Sequence, residues 1–122
     1  MAKSILAAIA FAGSVWTIPG LTASLGFDGE WSVQVVTDSG NCDQSYRYGV
    51  QISNGKVIYQ GDPSINIAGR VDPKGRIAVA VRSGDRVADG NGRLSSNSGG
   101  GRWVGRSASL QCSGHWVAER RS

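Results

Sequence analysis

Histidine and cysteine are scarce in this chain of 122 residues, and their scarcity excludes several kinds of chemistry. His115 is the one histidine, so a metal site built from several histidines is excluded and a histidine-centred triad could rest only on it. Ser113 would share a strand face with His115, and no Gly-x-Ser-x-Gly motif occurs. The acidic residues stand mostly in turns or beside glycine, which turn chemistry explains. We therefore expect no catalytic residue, no metal ligand and no cofactor, and a protein that is not an enzyme.

The chain also lacks an uninterrupted apolar run of the roughly 20 residues that span a bilayer. Its one apolar stretch, residues 5–11, follows Lys3 and precedes Pro19-Gly20 and the small residues Thr22-Ala23-Ser24. This order is typical of a secretory signal peptide, which we assign to residues 1–24. A retained membrane anchor is the alternative, but the stretch is short for one. Residues 25–122 are then one domain, secreted or periplasmic, with no membrane span after cleavage.

Strong charge is absent as well. Beyond residue 24 the chain has twelve lysines and arginines against nine acidic residues, a mild excess that is not typical of nucleic-acid binding. Ten of those twelve are arginine, which favours fork-like contacts with carboxylate and phosphate groups.

What the sequence does contain is a series of alternating apolar runs over residues 46–94, separated by turn signals. The signals stand at Asn54-Gly55, Gly61-Asp62-Pro63, Asp72-Pro73-Lys74-Gly75 and Gly84-Asp85. Folding at these turns predicts same-face pairs of Val50 with Tyr59, Ile52 with Val57, Tyr59 with Ile65, Val57 with Ile67, Val71 with Ile77, Gly69 with Val79, Ile67 with Val81, Val81 with Ala88, Val79 with Gly90 and Ile77 with Gly92. A slip of one residue would invert the faces, so the pattern predicts an antiparallel meander.

Further strands near residues 30–36, 102–109 and 113–120 bring the total to eight, with Gly99-Gly100-Gly101 as a flexible hairpin tip. If the sheet closes, the first and last strands lie side by side, which brings Cys42 next to Cys112. An even pair of cysteines in an exported chain favours a disulfide over a metal site. We therefore predict an all-β fold: a single eight-stranded antiparallel up-and-down barrel closed by a Cys42–Cys112 disulfide. A membrane barrel with inverted faces is a rival, although the strands are shorter than the 9 to 11 residues it needs.

An eight-stranded barrel is either filled by side chains or holds one small ligand. The sixth strand presents Gly90 and Gly92 to the interior, where Trp103 or Trp116 could fill the space or a ligand could occupy it. The candidate ligand-binding residues are Tyr48, Tyr59, Gly90, Gly92, Trp103 and Trp116.

Gly29-Glu30-Trp31 at the start of the first strand and Arg120 at the end of the last resemble the signature of calycins, such as lipocalins. In that family a Gly-x-Trp tryptophan at the base of the barrel is covered by a cation from the final strand. The resemblance implies that Arg120 stacks over Trp31 as a structural pair and that the protein binds a ligand or a protein. The chain is shorter than typical lipocalins and lacks their second motif and the helix before the last strand.

Two functions remain open for a protein that binds and does not catalyse. The first is binding of a small apolar or aromatic ligand inside the barrel. The alternative is a protein or anionic-glycan interaction module, such as an inhibitor, that uses loops and rim arginines. Its interaction residues would be Arg93, Arg102 and Arg106, and its partner an acidic protein or glycan. We expect no nucleic-acid partner and a monomer.

Overall fold

The computed structural model of the protein describes residues 26–122, which form one closed antiparallel barrel of eight β-strands. The strands are β1 Gly29–Ser39, β2 Ser45–Ser53, β3 Lys56–Ile58, β4 Asn66–Val71, β5 Arg76–Ser83, β6 Arg86–Leu94, β7 Ser98–Arg106 and β8 Gln111–Arg120. Each strand pairs with its neighbours in the chain, and β1 pairs with β8 to close the barrel. The predicted all-β up-and-down barrel is confirmed, whereas the predicted signal peptide at residues 1–24 lies outside the described residues. No helix long and apolar enough to cross a membrane occurs in residues 26–122.

Most of the predicted register is confirmed. Asn54 and Gly55 have φ angles of 53° and 75°, the left-handed backbone that a tight hairpin requires, and they place Ile52 opposite Val57. The other confirmed pairs are Val71 with Ile77, Gly69 with Val79, Ile67 with Val81, Val81 with Ala88, Val79 with Gly90 and Ile77 with Gly92.

The pairing of β3 with β4 differs from the prediction. Only Lys56–Arg70 and Val57–Gly69 pair, so the predicted pairs of Val57 with Ile67 and Tyr59 with Ile65 are wrong. The predicted pair of Val50 with Tyr59 continues the observed register of β2 with β3, but β3 ends at Ile58, one residue before this pair would form.

The cause is the local turn chemistry of Asp62. Its carboxylate accepts hydrogen bonds from the backbone N–H and the hydroxyl of Ser64, and its carbonyl accepts one from the Ile65 N–H. These bonds close a turn over residues 62–65, so the connection is wider than a tight hairpin. The register moves by two residues, and Val57 keeps its inward direction.

β7 begins earlier than predicted, and the assignment of Gly99-Gly100-Gly101 to a hairpin tip is wrong. The turn occupies residues 95–97, closed by a hydrogen bond of 2.7 Å from Ser95 N–H to the Ser98 carbonyl. Gly101 lies between Gly92 on β6 and Trp116 on β8, where a Cβ would collide with the backbone of β6. These glycines therefore allow close packing inside the sheet and do not provide flexibility.

The predicted disulfide is present. Cys42, in the loop at residues 40–44, is bonded to Cys112 near the start of β8, with their Cα atoms 6.2 Å apart. The bond links the β1–β2 loop to the strand that closes the barrel.

The barrel has two unlike ends. At the closed end lie the turns at residues 54–55, 72–75 and 95–97; at the open end lie the loops at residues 40–44, 59–65, 84–85 and 107–110. The buried core lies toward the closed end and consists of Trp31, Ile52, Val57, Val71, Ile77, Leu94, Trp116 and Ala118. Polar residues such as Arg47, Gln51, Lys56 and Arg70 are exposed on the outer wall. The interior is thus packed at one end only.

Arg120 seals the closed end, and its predicted contact with Trp31 is present. The guanidinium lies 5.2 Å from the centre of the indole ring and donates hydrogen bonds to the carbonyls of Ser96, Gly26 and Asp28 at 2.7, 3.1 and 2.6 Å. One side chain therefore ties the end of β8, the β6–β7 turn and the segment before β1 together.

Candidate ligand-binding cavity

A cavity of about 600 Å³ occupies the barrel above this packed core. Its walls are mainly aliphatic and aromatic, and its floor is formed by core residues such as Trp31, Ile52 and Leu94. Half-buried residues such as Val33, Ile67 and Val81 line the middle. The size and the apolar character match the range that small-molecule sites occupy in proteins.

Two indoles lie against the wall because glycines on neighbouring strands leave them room. Trp103 is paired in register with Gly90 and Gly114, and Trp116 with Gly101. A Cβ added to Gly114 would lie 2.9 Å from the Trp103 indole nitrogen, and one added to Gly92 would lie 2.7 Å from the Trp116 ring. The small residues of β6, β7 and β8 are therefore complements of these two tryptophans.

The indole N–H groups are satisfied by backbone carbonyls. Trp31 donates to Phe27 at 2.9 Å, Trp103 to Val36 at 3.0 Å and Trp116 to Asn91 at 3.3 Å. In residues 26–122, no buried side-chain nitrogen or oxygen lacks a hydrogen-bond partner. The interior consequently offers a ligand apolar contact and aromatic faces with few polar partners.

Gly90 and Gly92 are both predicted to bind the ligand, but they differ in position. Gly90 lines the cavity, and a Cβ there would meet only ordinary contacts at 3.5 Å or more. Gly92 is not part of the cavity lining, because the Trp116 indole covers it. Of the six predicted ligand-binding residues, five line the cavity: Tyr48, Tyr59, Gly90, Trp103 and Trp116.

Three tyrosines form an aromatic cluster toward the open end. The rings of Tyr46 and Tyr48 stack with centres 6.3 Å apart, and Tyr48 meets Tyr59 edge to face at 5.8 Å. Burial raises the pKa of the Tyr48 phenol above its ordinary value, and the neighbouring Tyr46 and Tyr59 raise it further. Tyr48 is therefore neutral at physiological pH, and it lines the cavity.

The mouth of the cavity, at the open end of the barrel, carries charges of both signs. Asp43 and Asp62 line it on the side of the first two open-end loops, and Arg86 and Arg106 line it on the side of the other two. All four are exposed, so the cavity reaches the surface here. Sequence reasoning missed Arg86 and Tyr46 as site residues, although Arg86 follows the Gly84-Asp85 turn and shares the inward face with Ala88.

The three arginines predicted to form an interaction surface do not lie together. Arg93 pairs with Arg76 near the closed end, Arg102 lies at mid-height on the outer wall opposite His115, and Arg106 ends β7 at the mouth. Only Arg106 belongs to the cavity lining.

His115 stands outside the cavity. Its Nδ1 lies 2.8 Å from an Asp38 carboxylate oxygen, and both side chains are partly exposed. Across residues 26–122, no group of three His, Cys, Asp or Glu side chains could hold a metal ion.

Comparison with protein-family models, with curated proteins and with solved structures finds no match to this chain. The resemblance to calycins therefore stays a proposal that rests on Gly29-Glu30-Trp31 and Arg120.

Proposed function

We propose that the protein is an exported binding protein, not a catalyst, which takes up a small apolar or aromatic ligand in the barrel cavity. The observation that carries the proposal is the open cavity of about 600 Å³ above a packed floor. Water in such a cavity has few polar partners, so an apolar molecule that displaces it gains free energy.

Ligand uptake has more support than the alternative of an acidic protein or glycan partner. The cavity brings five predicted ligand-binding residues to one site, whereas Arg93, Arg102 and Arg106 lie at three different heights of the barrel.

Export is part of the proposal and rests on two features. The chain begins with a segment typical of a signal peptide, and the Cys42–Cys112 disulfide is a bond that oxidising compartments maintain. Mass spectrometry of the protein recovered from its own cell tests both. We expect a chain that starts at residue 25 and whose mass rises by two hydrogens on reduction.

Binding can be tested with N-phenylnaphthylamine, an uncharged aromatic probe whose fluorescence rises in apolar surroundings. Gly90→Leu adds a side chain that projects into the cavity, where a Cβ meets no close contact. We expect the probe to bind the wild type and to bind Gly90→Leu at least about tenfold more weakly, a difference of about 1.4 kcal/mol.

Gly49→Leu is the matched control, because Gly49 lies exposed on β2 and an added Cβ there meets nothing within 4 Å. This variant should bind the probe as the wild type does. If the wild type does not bind the probe, or if both variants bind it equally well, the cavity is not the site.

A further inference from the structure

We infer that the ligand is amphipathic and anionic, with an apolar body in the cavity and a negatively charged group held at the mouth by Arg86 and Arg106. The inference rests on the proposed function, since it names the class of ligand for the same cavity.

Arg86 is placed at the rim by the alternation of β6. Ala88 and Gly90 face the interior, so Arg86, the first residue of the strand, lies on the same inward face, opposite Ser83. Its side chain lines the cavity where the wall meets solvent. A charge at this position can touch a ligand while it remains hydrated, which avoids the large penalty of burying a guanidinium.

Arg106 reaches the same part of the rim from the neighbouring strand. It ends β7 opposite Val87, on the outward face of the strand, and at this end of the barrel its side chain also lines the cavity. The two arginines therefore flank one sector of the mouth.

Neither guanidinium is engaged elsewhere in residues 26–122. The ion pairs within 4.0 Å in that range are Arg76–Asp72, His115–Asp38 and Arg121–Glu119. The described hydrogen bonds of arginine side chains come from Arg47, Arg76 and Arg120. With respect to residues 26–122, the N–H groups of the Arg86 and Arg106 side chains thus stay available for an external acceptor.

Two carboxylates that line the mouth, Asp43 and Asp62, lie in the first two open-end loops, away from the loops that Arg86 and Arg106 flank. The Ser64 backbone N–H and hydroxyl lower the pKa of the Asp62 carboxyl, so it is ionised. These two charges repel an anionic group toward Arg86 and Arg106.

Other charged residues near the mouth are placed differently. Asp85 lies on the arginine side, in the turn before Arg86; its carboxylate accepts a hydrogen bond of 3.1 Å from the Ala108 N–H, and it is not part of the cavity lining. Asp89 and Arg47 line the cavity from the outward faces of β6 and β2, and the Arg47 guanidinium donates hydrogen bonds to Ser32 and Gln34.

The chemistry of arginine defines the class of ligand. Its planar fork of N–H donors matches the paired oxygens of a carboxylate, sulfonate or phosphate ester. Together with an apolar cavity of about 600 Å³, it selects molecules with one anionic end and an extended or aromatic hydrocarbon body.

Two probes that differ by one charged group test the inference. N-phenylnaphthylamine is neutral, and anilinonaphthalene sulfonate is the same aromatic amine with a sulfonate added. We expect the wild type to bind the sulfonate about tenfold more tightly, and Arg86→Gln with Arg106→Gln to remove that advantage, with about threefold lost for each single change. Binding of the neutral probe should not change.

Arg82→Gln is the matched control, because Arg82 is exposed on β5 opposite Val87 and is not part of the cavity lining. It removes the same charge close by without removing a contact, so it should keep the preference for the sulfonate.

Two outcomes overturn the inference while the proposed function stands: equal or weaker binding of the sulfonate by the wild type, or an equal loss in Arg82→Gln and in the double variant. Failure of the neutral probe to bind at all overturns the proposed function instead.

Discussion

Gly90 and Gly92 both face the barrel interior from the same strand, but their surroundings differ. A Cβ on Gly92 would lie 2.7 Å from both the Gly101 Cα and the Trp116 ring, whereas a Cβ on Gly90 would meet no atom closer than 3.5 Å. The first glycine allows an indole to pack against the wall, and the second leaves volume in the cavity. Residues of one type at adjacent inward positions thus have different roles.

The different surroundings of the two glycines predict different effects of an alanine substitution on stability. Gly92→Ala should lower the free energy of unfolding by about 1 to 3 kcal/mol, because backbone and indole must move to admit the methyl group. Gly90→Ala should stay within about 1 kcal/mol of the wild type, and it gains from the reduced freedom of the unfolded chain. Urea unfolding measures both. Equal losses in the two variants would contradict the proposed packing of Trp116.

At the level of the strands, the disulfide stabilises the closure of the barrel by linking the β1–β2 loop to β8. Cys42 and Cys112 are 70 residues apart, so the bond restricts a large part of the unfolded chain. It also fixes the β1–β2 loop at the mouth, beside the cavity lining.

Replacing both cysteines by serine should lower the free energy of unfolding by about 4 kcal/mol, the value that chain entropy gives for a loop of this length. Urea unfolding of the oxidised wild type and of the double variant measures the loss. A reducing agent should reproduce it in the wild type and leave the double variant unchanged. A loss below about 1 kcal/mol would show that the closing strands hold without the bond.

The sequence predicts strands and faces well where turn residues determine the backbone. Asn54-Gly55 requires two left-handed residues, and the register of the first hairpin follows directly. The prediction fails at Gly61-Asp62-Pro63, because the Asp62 side chain bonds to Ser64 and moves the turn. It fails again at Gly99-Gly100-Gly101, since only the tertiary contact with Trp116 shows that these glycines belong in a strand.

Several residues of the candidate site can be predicted from the sequence, but the volume of the cavity cannot. Alternation shows which residues face inward, so Tyr48, Tyr59 and both tryptophans could be named. The free volume of the cavity could not be predicted, because it depends on whether the indoles of Trp103 and Trp116 point across the barrel or lie along its wall. The hydrogen bonds to the Val36 and Asn91 carbonyls decide this, and they join residues far apart in the sequence.

Taken as a whole, the molecule is packed unevenly along the barrel axis. Trp31 is 2% exposed at the closed end, and the tyrosines near the mouth are only half buried. Pairing is shortest where β3 meets β4, with two residue pairs, and longest between β7 and β8, with nine.

Amide hydrogen exchange should reveal this gradient. We expect the slowest exchange in the half of β1 and β8 near Trp31 and Ala118, and faster exchange in residues 59–65, where the backbone leaves the sheet. Saturation with N-phenylnaphthylamine should slow exchange around the mouth more than at the floor. Uniform protection along the barrel would contradict the described packing.

The separation of a packed floor from an open cavity affects how this protein can change over generations. If the cavity binds a ligand as proposed, substitutions in its wall toward the open end would alter ligand choice and remove few contacts of the buried core. The packing around Trp31 and Arg120 would then keep the fold stable while the cavity changes. On that proposal, selection for a ligand and selection for stability act on different residues of one barrel.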